Sequence, residues 1–182
     1  SIIGGINPYY KSNAHSGLGK LLIAEADESD GSIVKFKPDI GILTNIDLDH
    51  TNYYPTIESL IETMQKFGEN SKILLANYDC PIIRNNFNPK KWWSTKTFKD
   101  IAFCGIPIEQ TSNGTIAKYY ENEEFLGKLN IPLAGLHNLS NVIGGIAACR
   151  LAGVPFKELQ SNIIKIKSPG RRFEFKGIWK GR

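Results

Sequence analysis

Apolar and polar positions alternate along the chain in blocks that predict alternating strands and helices. Residues 20–24 and 40–45 are short apolar runs between turn residues, which is typical of buried strands, and residues 72–76 predict a third strand. After Thr56, apolar residues recur at helical spacing and predict a helix that ends at Gly68. The order strand, helix, strand predicts a mostly parallel sheet flanked by helices.

The remaining segments add an antiparallel part to this α/β fold. Residues 7–19, rich in Asn, Gly, Ser and Pro, predict a loop. Residues 116–120 and 124–129 predict a small hairpin that turns at Asn122 and Glu123. The other predicted elements are strands over residues 101–104 and 171–175, a turn over residues 168–170, and helices over residues 139–150 and 156–166.

Composition limits the functional class. The chain has 182 residues, of which 41% are hydrophobic and 22% charged, enough for one domain with a core. Its three cysteines, Cys80, Cys104 and Cys149, are far apart and lack metal-binding spacing, which favours reduced thiols in a cytoplasmic protein. No apolar run reaches the length of a membrane span, so we expect no membrane partner.

Basic and aromatic residues cluster in residues 90–99, which include Trp92 and Trp93. Aromatic side chains among lysines are one way to bind single-stranded nucleic acid. The net charge of +4 is too small to favour nucleic acid by itself. We therefore prefer a surface loop and expect no nucleic-acid partner.

Four carboxylates follow the first predicted strand, on Glu25, Asp27, Glu28 and Asp30, with Ser29 among them. Open α/β sheets bind ligands beyond the carboxyl ends of their strands. Carboxylates this close repel one another unless a cation or a basic ligand balances them. The cluster therefore indicates either a metal site or a solvated acidic loop, and composition alone does not separate the two.

A second polar set, Asp47 to His50, follows the second predicted strand. A carboxylate and an imidazole from neighbouring strand ends can share one divalent cation, either Mg²⁺ or Mn²⁺. For His50 alone, a loop histidine without a ligand is the simpler interpretation.

A third set lies in the first turn of a predicted helix, where Asn138 and Asn141 are three residues apart and share a face. Amide side chains there can recognise a base edge, and the guanidinium groups of Arg171 and Arg172 can bind phosphate. A simple N-cap at Asn138 and surface charge at the arginines are the alternatives.

These sets resemble, in order, the motifs of the Mur ligase family. The matching stretches are residues 24–30, residues 44–46 with Asp49 and His50, Gly135 with residues 137–138 and Asn141, and residues 170–174. The resemblance extends from about Ile3 to Glu174. It is strongest to the branch that joins L-alanine to UDP-N-acetylmuramate in peptidoglycan synthesis.

The resemblance implies a P-loop-like central domain of a cytoplasmic enzyme that uses ATP and Mg²⁺. ATP would activate the sugar-linked carboxylate as an acyl phosphate, and the amine of L-alanine would displace phosphate. By matching position, the implied roles are Mg²⁺ binding and catalysis for Glu25 and His50, adenine binding for His137, Asn138 and Asn141, phosphate contact and catalysis for Arg172, and substrate contact for Asn13, His15, Glu28 and Ser29.

The resemblance also implies the domain limits. Residues 1–176 would form the central domain without its phosphate loop, because no Gly-x-x-x-x-Gly-Lys-Ser/Thr sequence occurs, and residues 177–182 would begin the linker to an absent carboxyl-terminal domain. The missing strand would expose apolar sheet and favour self-association. A muropeptide-recycling ligase that adds a tripeptide and a non-catalytic nucleotide-binding module remain alternatives.

We predict that the 182-residue chain by itself binds ATP negligibly and catalyses no turnover. The physical reason is the lack of phosphate-loop lysine and backbone amides, which hold the β- and γ-phosphates in such sites. Calorimetric titration with magnesium and ATP measures this affinity directly. Tight binding by the chain alone would contradict the prediction.

Overall fold

The computed structural model of the chain describes residues 1–167. The described residues divide into two compact units, one comprising Ser1–Ala26 with Lys167, the other Asp27–Ile166. Within the described residues, no helix is long and apolar enough to cross a membrane.

The first unit contains a short antiparallel hairpin where a loop was predicted. Its strands are β1 (Ile2–Asn7) and β2 (Ser12–Ala14). The Asn7 side chain accepts a hydrogen bond from the Tyr9 amide at 2.9 Å, a local bond typical of a turn. The predicted loop over residues 7–19 is therefore wrong at β2.

The predicted buried strand over residues 20–24 is also wrong. Only Ala24 pairs, in a single parallel bridge with Ile2, while the side chains of Leu21, Leu22 and Ile23 are 64–74% exposed. No helix lies among the described residues of this unit to cover the run. Apolar sequence alone cannot supply the second layer that buries a strand.

The second unit is built around a six-stranded sheet in the order β3-β4-β5-β6-β7-β8. The first four strands are parallel and the last two are antiparallel additions. The strands are β3 (Ile40–Leu43), β4 (Ile73–Asn77), β5 (Lys91–Ser94), β6 (Phe103–Thr111), β7 (Gly114–Glu121) and β8 (Glu124–Ile131).

Helices cover both faces of this sheet. They are α1 (Ile57–Asn70), α2 (Pro81–Asn86), α3 (Leu136–Leu151) and α4 (Phe156–Asn162), with short 3₁₀ turns at Ser32–Lys35 and Ile163–Lys165. In β4, Leu74 packs in the cluster of α1 and α2, whereas the adjacent Leu75 packs in the cluster of α3. The predicted α/β fold, a mostly parallel sheet flanked by helices with an antiparallel hairpin region, is confirmed.

Helix α1 begins as predicted, because Thr56 Oγ1 accepts a hydrogen bond from the Ser59 amide at 3.3 Å. It continues two residues past Gly68, however. A Cβ atom at Gly68 would lie 2.9 Å from a methyl group of Leu74 in β4. The glycine therefore permits close helix–strand packing and does not end the helix.

Strand β5 replaces the predicted surface loop around the tryptophans. Trp93 is fully buried in the cluster of α3, while Trp92 is partly buried against the opposite cluster. The flanking lysines suggested a surface, but an alternating strand accommodates one tryptophan on each face. Trp93 is thus unavailable for stacking on a nucleic-acid base.

Other predicted elements differ mainly at their ends. The hairpin of β7 and β8 is confirmed, with Asn122 and Glu123 at positive φ in its turn. Strand β3 is confirmed but lies at a sheet edge, where Ile42 is 38% exposed. The predicted helix over residues 156–166 is α4 followed by a 3₁₀ turn. The predicted turn and strand over residues 168–175 lie outside the described residues.

Two adjacent glycines of α3 provide a stability test. A Cβ at Gly144 would lie 2.9 Å from the buried indole of Trp93, whereas a Cβ at Gly145 would meet nothing within 4 Å. We expect Gly144→Ala to lower the free energy of unfolding by about 1–3 kcal/mol through overpacking. The control Gly145→Ala should raise it by about 0.5–1 kcal/mol through helix propensity. Urea unfolding measures both, and equal effects would contradict this packing.

Candidate functional site

A pocket of about 460 Å³ opens at the carboxyl ends of the parallel strands. Asn45 lies just beyond β3, Asn77 ends β4, and Thr95 lies just beyond β5. His137 and Ser140, from the first turns of α3, line the same pocket. In an open α/β sheet this edge is where ligands bind, and the volume lies within the range of small-molecule sites.

Asn77 connects three of the elements around this pocket. Its Nδ2 donates to the Thr44 carbonyl oxygen at 2.9 Å and to Ser140 Oγ at 3.3 Å. Its Oδ1 accepts a hydrogen bond from the Asp79 amide at 3.0 Å. The side chain is buried, so these bonds satisfy an amide that would otherwise be costly to remove from water.

The carboxylate of Asp79 holds the segment that follows β5. Its Oδ1 accepts from Ser94 Oγ at 2.6 Å, and its Oδ2 accepts from the amide and hydroxyl of Thr95 at 2.7 and 2.8 Å. Three hydrogen bonds to one carboxylate are strong because the acceptor is charged. They fix the wall of the pocket at Thr95 and the adjacent Lys96.

Gly135 immediately precedes α3 as its amino-terminal cap residue, and its φ of +93° favours glycine. A Cβ there would lie 2.9 Å from the imidazole of His137, so the ring packs over this turn. The Asn138 side chain donates to the Ala134 carbonyl oxygen at 2.7 Å. Asn141 is exposed one turn along. His137 is therefore the member of this set that lines the pocket.

The acidic segment folds as a tight turn in the second unit. Asp27 Oδ1 accepts a hydrogen bond from the Ser29 amide at 2.6 Å, and Asp30 Oδ1 accepts one from the Ser32 amide at 2.9 Å. Hydrogen bonds from the two serines lower the pKa of Asp27 and Asp30 from their ordinary values. These carboxylates are thus held ionised by local bonds.

Glu28 and His50 come close to each other beside this turn. Glu28 Oε1 lies 4.0 Å from His50 Nε2, and the Glu28 carbonyl oxygen accepts a hydrogen bond from the Tyr54 hydroxyl at 2.6 Å. His50 has a φ of +53°, and its amide donates to Asp49 Oδ1 at 2.7 Å. The described residues contain no group of three or more His, Cys, Asp or Glu side chains that could hold a metal ion. A cation bound here would need ligands from water or substrate as well.

The first unit contains the remaining described candidates. Glu25 Oε2 accepts a hydrogen bond from the Gly4 amide at 2.8 Å. Asn13 is exposed on β2, and the His15 ring stacks on Tyr10 at 3.6 Å between centroids. Because Glu25 and His50 belong to different units, their sharing of one cation stays a prediction. Arg171 and Arg172 lie outside the described residues.

Several pocket residues escaped the sequence analysis. They are Asn77, Asp79, Thr95, Lys96 and Ser140, together with Asn45, which was noted only within a motif. A signal was present, since Asn77 and Asp79 follow the third strand as Asp47 and His50 follow the second. Polar residues at the end of this third parallel strand lie at the same ligand-binding edge.

The acidic turn yields a pH prediction. Because the folded pKa of Asp27 is lowered, its stabilising effect is present above the unfolded value of about 3.9 and is lost as the pH falls through the lower folded value. We expect the amide NMR signal of Ser29 to titrate with a midpoint below that value. Ser29→Ala should raise this midpoint, because it removes the serine hydroxyl that helps to lower the pKa of Asp27. The amide signal of residue 29 reports the titration in both proteins. A midpoint at or above the ordinary pKa of Asp would contradict this geometry.

Comparison with known proteins connects these features to a family. The Mur ligase middle domain matches residues 15–149. Two Prochlorococcus marinus proteins named UDP-N-acetylmuramate–L-alanine ligase match the whole chain, at 54% identity in strain SARG and 50% in strain MIT 9303. The chain covers 39% and 37% of their lengths, so it spans less than two fifths of these curated relatives.

Solved structures show the same fold. A UDP-N-acetylmuramate-alanine ligase from Thermotoga maritima superposes with a TM-score of 0.82 at 20% identity, covering 94% of this chain and 39% of that one. A UDP-N-acetylmuramate:L-alanyl-γ-D-glutamyl-meso-diaminopimelate ligase from Neisseria meningitides gives 0.67 at 18% identity, covering 81% and 48%. With the matched domain spanning most of the sequence, the chain belongs to the Mur ligase family and carries its middle domain.

Proposed function

We propose that this chain is the ATP-binding part of a ligase that joins L-alanine to UDP-N-acetylmuramate. The observation that carries the proposal is identity of 47–54% along the whole chain to relatives of that printed name. In the proposed reaction, ATP phosphorylates the carboxylate of the sugar nucleotide. The amine of L-alanine then attacks the acyl carbon, and phosphate leaves as the amide forms.

The pocket at the strand ends fits a nucleoside in size and chemistry. Its volume of about 460 Å³ is ample for a base and ribose, and it offers amide, hydroxyl and imidazole groups. We assign adenine to the first turns of α3, where His137 lines the pocket and Asn138 and Asn141 are its neighbours.

The side chains proposed to bind Mg²⁺ are too few to complete its coordination, so oxygen atoms of the substrates and water would supply the remaining ligands. Mg²⁺ in phosphoryl-transfer sites keeps several waters and takes one or two protein ligands together with phosphate oxygens. We assign these ligands to Glu25 and His50, with Glu28 beside His50. Bound there, Mg²⁺ would offset the mutual repulsion of phosphate and carboxylate oxygens.

The chain's own residues would orient the reactants. We assign the carboxylate end of the sugar nucleotide to Asn13 and His15, with Glu28 and Ser29 near it, and the ATP phosphates to Arg172. Residues 1–176 would form the middle domain of a cytoplasmic enzyme. Domains outside this chain would supply the UDP and amino-acid sites, because the curated relatives are more than twice as long.

The test is a phosphate-release assay on the complete gene product that carries this chain. We expect release only when ATP, Mg²⁺, UDP-N-acetylmuramate and L-alanine are all present. Replacing L-alanine by the tripeptide L-alanyl-γ-D-glutamyl-meso-diaminopimelate should give none. Tripeptide-dependent release, or ATP binding without ligation of any amine, would contradict the proposal and favour one of the alternatives.

A variant pair connects this activity to the proposed metal site. His50→Ala should lower kcat by roughly 10–100-fold, because a metal-site side chain is lost. Asp39→Asn is the control, since Asp39 precedes β3 at the opposite sheet edge and pairs with exposed Lys72. Asp39→Asn should retain full activity. Equal activity of the two variants would contradict the assignment of His50 to the metal site.

A further inference from the structure

We infer that Ser140 is a positioning residue that sets the first turns of α3 against the strand ends for nucleotide binding. The inference rests on the proposed function, since it concerns the same pocket. Ser140 Oγ accepts hydrogen bonds from Asn77 Nδ2 and from Trp93 Nε1, each at 3.3 Å. One hydroxyl therefore joins the helix to two adjacent strands, β4 and β5.

Both donors are rigid. Trp93 is fully buried, and Asn77 is 8% exposed; its Nδ2 also donates to the Thr44 carbonyl oxygen, and its Oδ1 accepts from the Asp79 amide. The other side-chain bonds of Asn77 go to residues outside α3, and the Trp93 indole is enclosed in the hydrophobic core, so neither donor is free to move independently of the sheet. The two hydrogen bonds therefore fix the position of Ser140 relative to the sheet.

Trp93 restrains the same helix at a second point. Its ring lies so close to Gly144 that a Cβ there would come within 2.9 Å. Ser140 and Gly144 are four residues apart and lie on one face of α3. The indole of Trp93 therefore makes a hydrogen bond and a tight packing contact with this face of α3. Together they limit rotation of the helix about its axis and its movement away from the sheet.

The far end of α3 is held separately. Arg150 donates from Nε and Nη2 to the two carboxylate oxygens of Glu121 at 2.6 and 3.0 Å, and from Nη1 to the Val154 carbonyl oxygen at 2.8 Å. This bidentate pair anchors the helix to β7. Because the carboxyl end is anchored in this way, the Ser140 bonds determine the position of the amino-terminal end of α3, which faces the pocket.

The consequence for binding follows from helix geometry. His137 is three residues before Ser140 and therefore a surface neighbour of it, and Asn141 is the next residue. Any tilt at Ser140 moves both proposed nucleotide contacts together. Loss of the two bonds should therefore weaken ATP binding and leave the binding of the other substrates unaffected.

The test is Ser140→Ala in the complete gene product, with KM measured for each substrate. Alanine removes the acceptor and favours the helix, so the variant should fold. We expect the KM for ATP to rise about tenfold, equivalent to about 1.4 kcal/mol, with kcat within twofold. The KM values for UDP-N-acetylmuramate and L-alanine should stay unchanged.

This pattern separates positioning from simple destabilisation. A smaller folded fraction would lower the apparent kcat and leave every KM unchanged, and that result would overturn the inference. Ser161→Ala, at an exposed serine of α4, is the matched control and should behave as wild type. If Ser140→Ala does not accumulate, Trp93→Phe removes one of the two donors, and it should raise the KM for ATP alone or else refute the inference.

Failure of the proposed function gives a different result. If the wild-type protein shows no ATP-dependent ligation of L-alanine, the proposed function fails before any variant is compared. If the wild type is active and Ser140→Ala has an unchanged KM for ATP, only the positioning role fails.

Discussion

The constraint on which this structure depends is the parallel hydrogen-bond register of β3, β4 and β5. Parallel pairing brings the carboxyl end of each strand to one edge of the sheet. Helices cover both faces of the sheet, as the packing of Leu74 and Leu75 of β4 into opposite clusters shows. The polar residues that follow these strands are therefore gathered in space although they are far apart in the sequence.

The polar residues at the strand ends form a defined pocket only because local hydrogen bonds fix their side chains. Asn77 connects the end of β3 to α3, and Asp79 holds the segment that follows β5. Asn77 ends β4 and Asp79 follows it closely, so one strand of the sheet supplies both of these connections. The pocket is preformed in this sense, because its walls are held by bonds within the chain.

Residue pattern alone predicted the elements with strong periodicity. Helix α1 was predicted together with its cap at Thr56, and the β7–β8 hairpin together with its turn. Prediction failed where tertiary packing decides the outcome. Residues 20–24 have the composition of a core strand but no covering layer among the described residues of their unit, whereas Trp93 among lysines is completely buried. Neither outcome is encoded in local periodicity, since both depend on what packs above the strand.

The candidate site shows the same division. The motifs around Glu28, His50 and His137 could be found because they resemble a family and follow predicted elements. Ser140 could not, because its role depends on the indole of Trp93 and the amide of Asn77, each more than 45 residues away in sequence. Such a contact becomes visible only when the register of the sheet and the position of α3 are known.

A crystal structure of the complete gene product with Mg²⁺ and a non-hydrolysable ATP analogue would test the central claim most directly. The account predicts the adenine ring in the pocket at the strand ends, beside His137 in the first turns of α3, with the cation bound through His50. Electron density for the nucleotide at any other edge of the sheet, with this pocket filled only by water, would contradict it.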